Sequence, residues 1–202
     1  MNIIQIKIII FSFLFFFPSI GITQDIPQKE DGNIFWNENY KLKWSDFQAN
    51  PPSVDQEWNA VCAHKILVKG LWDGLPNFIV FNTFLKEKSW ANDTTSSHLL
   101  AHEQLHFDIS EIYARKIRQT VDSLREVGYK KFEPYNEKIK TLLETSNKMH
   151  KCFDKETSHG VLIFEQEKWQ EKVNKELEVL SEYYENDTIN YSKYIEESKY
   201  KP

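Results

Sequence analysis

Ser96-Ser97-His98-Leu99-Leu100-Ala101-His102-Glu103-Gln104-Leu105-His106-Phe107-Asp108-Ile109 opens the longest stretch of this chain that reads as one helix, and it also carries the chain's most specific chemistry. Thr94, Thr95, Ser96 and Ser97 supply hydroxyl N-caps, and Leu99, Leu100, Leu105, Ile109, Ile112, Ile117, Val121 and Leu124 recur at near-helical spacing. No Gly or Pro interrupts 96–127, and Gly128 follows as a helix stop. Residues four apart on a helix lie roughly 40° apart around the axis and about 6 Å apart along it, so His102 and His106 can grip one ion. Glu103 stands beside that face. H-E-x-x-H thus offers two imidazole ligands and a carboxylate able to take a proton from a metal-activated water, the residue set of a zinc hydrolase holding one ion per chain.

A catalytic zinc takes three protein ligands plus water, so the helical pair is incomplete. His98 would lie roughly 9 Å along the axis from the ion, out of reach. Asp108 and Glu111 point roughly 200° and 140° away from His106, so they are expected to support or pack, Glu111 as an i,i+4 partner of Arg115. The remaining candidates are His64, His150 and Asp154-Lys155-Glu156-Thr157-Ser158-His159-Gly160, where possible ligands precede a Gly at an expected break between helices. His159 is the first choice, with Asp154 or Glu156 as an alternative ligand or as the group that orients a histidine ring. The plainer reading of this run is a helix end followed by Ser158 as the next N-cap.

The 202 residues suit one domain with a real core. Lys7 precedes an apolar run at 8–17 broken by Ser12 alone, and Gly21-Ile22-Thr23 offers small residues for cleavage. The expected organisation is a signal peptide at 1–23, a single metalloprotease-like domain at 24–185 and a polar tail at 186–202. It implies a periplasmic or secreted protein with no membrane attachment once the signal is removed, an uncleaved anchor being the alternative. In an oxidising compartment Cys62 and Cys152 are either one disulfide or two buried thiols. Losing Lys7 moves the net charge from −5 to about −6, with both signs mixed along the chain. With no basic patch interleaved with aromatics and no Gly-rich phosphate loop, nucleic acid is excluded as a partner.

Strands are expected at 40–44, 61–68 and 78–84, with Pro51-Pro52 as a break and Asp73-Gly74 as a turn. The third strand leads into the histidine helix and is expected to present an edge to an extended peptide. A second helix starts near Pro134, with Tyr135, Ile139, Leu142, Leu143 and Met149 as its stripe. A third carries Val161, Phe164, Trp169, Val173, Leu177, Leu180 and Tyr184. The fold class is α+β, a small antiparallel sheet in the N-terminal half packed against three long helices, with H-E-x-x-H on the first.

Three separated motifs share one order. They are the run from Leu99 through His102-Glu103-Gln104-Leu105-His106 to Arg115, then Trp44-Ser45-Asp46-Phe47 nearer the start, and Phe153-Asp154-Lys155-Glu156-Thr157-Ser158-His159-Gly160 followed by Gln166 and Trp169. Together they resemble a bacterial family, domain-of-unknown-function family 922, over roughly 40–173. Leu105 departs from the small residue common at its position, and Phe153 from a Tyr. The resemblance implies an exported bacterial protein with a zincin-like arrangement and zinc-dependent proteolysis of a peptide or protein substrate, and it adds weight to His159. The alternatives from the residues themselves are a zinc hydrolase acting on another amide or ester, and a non-catalytic exported binding or structural protein with a structural or vestigial metal site.

Overall fold

Ser96 keeps an extended backbone while its Oγ accepts the Leu99 N–H at 3.1 Å, which starts α1 (Ser97–Val127) where the hydroxyl cluster predicts it. Gly128, at φ +83, ends it by turning its N–H back to the Arg125 and Leu124 carbonyls. The chain is described here from a computed structural model that covers residues 33–53 and 58–185. The expected signal at 1–23 and tail at 186–202 lie outside those residues. Among the described residues no helix is long and apolar enough to cross a membrane.

Among the described residues the N-terminal half holds five strands, β1 (Ile34–Phe35), β2 (Ala60–Val61), β3 (His64–Trp72), β4 (Pro76–Phe84) and β5 (Trp90–Ala91). All pairings are antiparallel, in a three-stranded sheet of order β1-β4-β3 and a separate β2-β5 pair. β3 and β4 form a hairpin in register from His64↔Phe84 to Trp72↔Pro76, closed by Asp73-Gly74-Leu75 with Gly74 at φ +98. Three strand expectations need correction. Trp44–Asp46 is a 3-10 turn, because Asp46 Oδ2 accepts both the Lys43 N–H and the Tyr40 hydroxyl and so gives the backbone a local alternative to a ladder. The strand expected over 61–68 breaks at Cys62-Ala63, whose N–H groups donate to Glu103 Oε2 and Ser89 Oγ instead of a neighbouring strand. The strand expected to offer a free edge is β4, and it is the middle strand of its sheet, with β1 meeting its C-terminal end.

α2 (Glu133–Thr157) and α3 (Ile163–Val179) complete the architecture, so the protein is α+β, a small antiparallel sheet with three helices. α1 lies between the sheet and the other two helices, which buries nearly all of it from His102 to Val121. Its apolar face meets Val80 of β4, Tyr135, Ile139 and Phe153 of α2, and Trp169 and Val173 of α3 in one core. The N-terminal segment wraps α1 through Trp36 and Leu42: Trp36 Nε1 donates to Asp108 Oδ1 at 2.7 Å, and the Leu42 N–H donates to Gln104 Oε1 at 2.8 Å. Asp108 therefore supports the fold, as its direction on the helix requires.

The break expected over 154–160 comes later than that. α2 runs through Thr157 and stops on three consecutive left-handed residues, Ser158 (φ 48), His159 (φ 54) and Gly160 (φ 82). Thr157 Oγ1 donates to the Phe153 carbonyl and accepts the Gly160 N–H, while the His159 N–H returns to the Asp154 carbonyl at 2.8 Å. Asp154 and Glu156 are consequently helical residues. On α3 the stripe begins later than expected: Val161 and Phe164 are 73% and 67% exposed, and Gln166, Trp169 and Val173 are the buried positions.

Candidate metal centre

His102 and His106 stand on one stripe of α1, and α2 crosses that stripe with Asp154 facing it. His102 Nε2 lies 3.3 Å and His106 Nε2 2.9 Å from Asp154 Oδ1, and the three donor atoms all fall within 4.8 Å of one another. Two imidazole nitrogens and one carboxylate oxygen at that spacing can hold a metal ion, and they form a three-ligand set of the kind that leaves further coordination positions open. The fit is supported by the close quarters over His102. A Cβ added at Gly160 would come within 3.1 Å of its ring, so the left-handed turn leaves just enough room for the imidazole.

The two histidines are held by different means. His102 is fixed by packing, its ring stacked on Phe153 with centroids 4.4 Å apart and Gly160 close on its edge. His106 is fixed by hydrogen bonding, its Nδ1 3.0 Å from Nδ1 of His150. Glu103, beside the stripe and within electrostatic reach of His106 and Asp154, is buried and accepts the Cys62 N–H at 2.7 Å on Oε2.

Charge follows from burial and partners. Burial pushes the Glu103 carboxyl up to about 7, with the neighbouring His106 charge and the Cys62 amide opposing. Burial would raise Asp154 too, but hydrogen bonds from His102 and His106 overcome it and hold this carboxylate well below its usual range. Burial lowers His102. His106 is burdened by the same desolvation but ends raised, because Asp154 bonds to it and Glu103 adds negative charge. In the metal-free chain Asp154 thus favours a proton on His106, and the hydrogen bonds of both histidines favour its own carboxylate, where the donor atoms converge.

The sequence-derived candidates separate here. Asp154, an alternative in the sequence reading, is the residue brought to the histidine pair. His159, the first choice, is outside that group: its Nδ1 is 3.7 Å from Asp154 Oδ1, and its side chain, 38% exposed, lies toward the Trp58 ring at 5.9 Å. Glu156 turns away and accepts from Trp169 Nε1 at 2.8 Å and from Cys152 Sγ at 3.1 Å. Cys62 and Cys152 are both free, one buried and one exposed, so neither a disulfide nor a pair of buried thiols describes them. His64 and His150, the other candidates, stand directly behind His106 and outside the convergent group. The signal for His150 was available: His150 and Asp154 are four apart on α2, as His102 and His106 are on α1, so two facing helices each present an i,i+4 pair.

No curated protein and no solved structure matches this chain. The family model described as bacterial protein of unknown function (DUF922) matches residues 83–160, from the end of β4 through α1 and α2 to the turn at Gly160, and supports that family for the segment bearing the three convergent donors.

Proposed function

We propose that this protein is an exported zinc-dependent metallopeptidase in which His102, His106 and Asp154 bind the metal and Glu103 is the general base. The observation that carries the reading is the H-E-x-x-H pair of α1 meeting a carboxylate of α2, with Glu103 beside it at a proton affinity near neutrality. Zinc bound by these residues would supply Lewis acidity toward water and a carbonyl oxygen. Glu103, with a pKa of about 7, takes a proton at neutral pH and can return it to a leaving amine. The Cys62 N–H holds that carboxylate at one oxygen and leaves the other for the exchange. Packing against Phe153 and Gly160 restricts the His102 ring, so its lone pair needs little reorientation to ligate. The apolar run at 8–17 behind Lys7 supports export.

Metal analysis of the purified chain, followed by hydrolysis of a broad peptide library, tests this reading. One zinc per chain is expected. Glu103→Gln should keep the metal and lose on the order of 10²- to 10⁴-fold in activity, whereas His106→Ala should lose both. Asp154→Asn should weaken zinc binding far more than His159→Ala; the reverse order would restore His159 as the third ligand. An active Glu103→Gln protein refutes the mechanism.

A closed, structural zinc site is the competing reading, and the nearness of His159 to Asp154 favours it. X-ray absorption of the zinc form separates the two. Three protein ligands plus water fit catalysis, while four protein ligands fit a structural or vestigial site.

A further inference from the structure

Three imidazoles stand in line behind the candidate centre. His106 Nδ1 is 3.0 Å from His150 Nδ1, His150 Nε2 is 3.3 Å from His64 Nε2, and His64 Nδ1 is 2.9 Å from the Cys62 carbonyl oxygen. A nitrogen-to-nitrogen hydrogen bond needs one protonated ring atom and one lone pair, whereas a carbonyl oxygen can only accept. The carbonyl therefore sets the first proton, on His64 Nδ1. With His64 neutral, its Nε2 is a lone pair, so the next proton belongs to His150 Nε2. With His150 neutral, its Nδ1 is a lone pair, so the third proton belongs to His106 Nδ1. Ser110 Oγ, also 3.3 Å from His150 Nε2, can accept the same proton, and as a hydroxyl it can equally donate, so the carbonyl alone sets the order. This order is that of His64 and His150 as neutral imidazoles, the form in which each ring carries one proton and one lone pair.

We propose that the Cys62 carbonyl, acting through His64 and His150, holds His106 in the tautomer that turns its Nε2 lone pair toward Asp154, making His64 and His150 positioning residues for a metal ligand. The proposal rests on reading His102, His106 and Asp154 as a metal centre. A second proton on His106 Nε2, bonded to Asp154 when metal is absent, leaves the order of the other protons unchanged. A reversed line, with His150 protonated at Nδ1 and His106 at Nε2 alone, would leave His106 no lone pair on the nitrogen that faces Asp154.

Side-chain hydrogens are assigned here from the bonding pattern, so long-range proton–nitrogen correlation spectra of the full chain, metal-free and zinc-loaded, are the direct test. The expected pattern is protonation at Nδ1 of His64 and His106 and at Nε2 of His150 in both states. His150 protonated at Nδ1 overturns the proposal. A competitive zinc titration is the second readout. His150→Leu should weaken zinc binding about 10- to 100-fold, and His150→Gln, which returns a carbonyl acceptor, should recover most of it. Zinc bound by His150→Leu as tightly as by the parent chain also overturns the proposal. A parent chain that binds no zinc defeats the metal reading instead, and the proton order in its spectrum then decides the relay alone.

Discussion

Glu103 is the residue on which chemistry and stability pull apart. Its folded pKa of about 7 stands above the ordinary 4.5, so the folded chain favours the protonated acid. Its contribution to stability is full below about 4.5 and is lost as pH rises through about 7. Gln imitates the protonated acid at every pH. In chelator-treated protein Glu103→Gln should therefore gain on the parent chain as pH rises, reaching about 3 kcal/mol above neutrality. Urea unfolding at pH 5 and pH 8 checks this; an equal gap at both would mean that the ionised carboxylate is well accommodated. Glu103 and both motif histidines were legible because their spacing alone dictates their geometry. Asp154 was legible only as one of several candidates, since choosing among Asp154, Glu156 and His159 depends on where a second helix lies. The side chain of Glu156 is drawn off by Trp169 and Cys152, a tertiary event that no local pattern announces.

Among the elements, α1 was readable to within a four-residue hydroxyl cluster at its start and to Gly128 at its end, because its caps are chemical, a Ser hydroxyl and a left-handed Gly. α2 was cut short in the sequence reading by the polar run before Gly160. Yet its buried positions Tyr135, Ile139, Leu143, Ser146, Phe153 and Thr157 continue one stripe to the end, and following that stripe through Ser146 would have kept Asp154 helical. Glu111 illustrates what lies beyond i,i+4 pairing. Its Oε1 accepts from Arg115 Nε and Arg118 Nη1, each at 3.0 Å, and all three residues are buried. Arg118 also donates to the Val80 carbonyl of β4 and Arg115 to the Leu177 carbonyl of α3, so this cluster ties the sheet and the third helix to α1. Glu111→Ala would leave two guanidinium groups without their shared carboxylate and should cost about 3–5 kcal/mol in chemical denaturation. A loss below about 1 kcal/mol would show that the remaining partners, the backbone carbonyls and Glu185, satisfy both arginines.

On the scale of the whole molecule, α1 is the shared layer. The sheet, the wrapping N-terminal segment and the α2–α3 pair each pack on it, and the candidate centre lies where α2 crosses it. No disulfide reinforces that arrangement. A thiol reagent should therefore titrate one cysteine in the native protein, exposed Cys152, and both after unfolding, since Cys62 is buried with its thiol pKa pushed up. Reducing agent should leave the Tm unchanged; a drop would reveal a bridge. Alternation, caps and turn residues announced the α+β class, but the short β2-β5 pair was not legible, because two-residue strands leave no period to read. The exposure of Val161 and Phe164 was equally hidden, as a helix start displaces its stripe with no mark in composition.

Cys62 joins these scales through its peptide group, the amide on Glu103 and the carbonyl on His64, while its thiol packs in the core. Both contacts come from the backbone, so alanine, which fits the buried space the thiol fills, would keep them, and an alanine scan would score the position as tolerant. Proline, which has no N–H to offer, would lose the contact to Glu103. This part of the site is inherited as backbone shape, and a catalogue of residue identities passes over it.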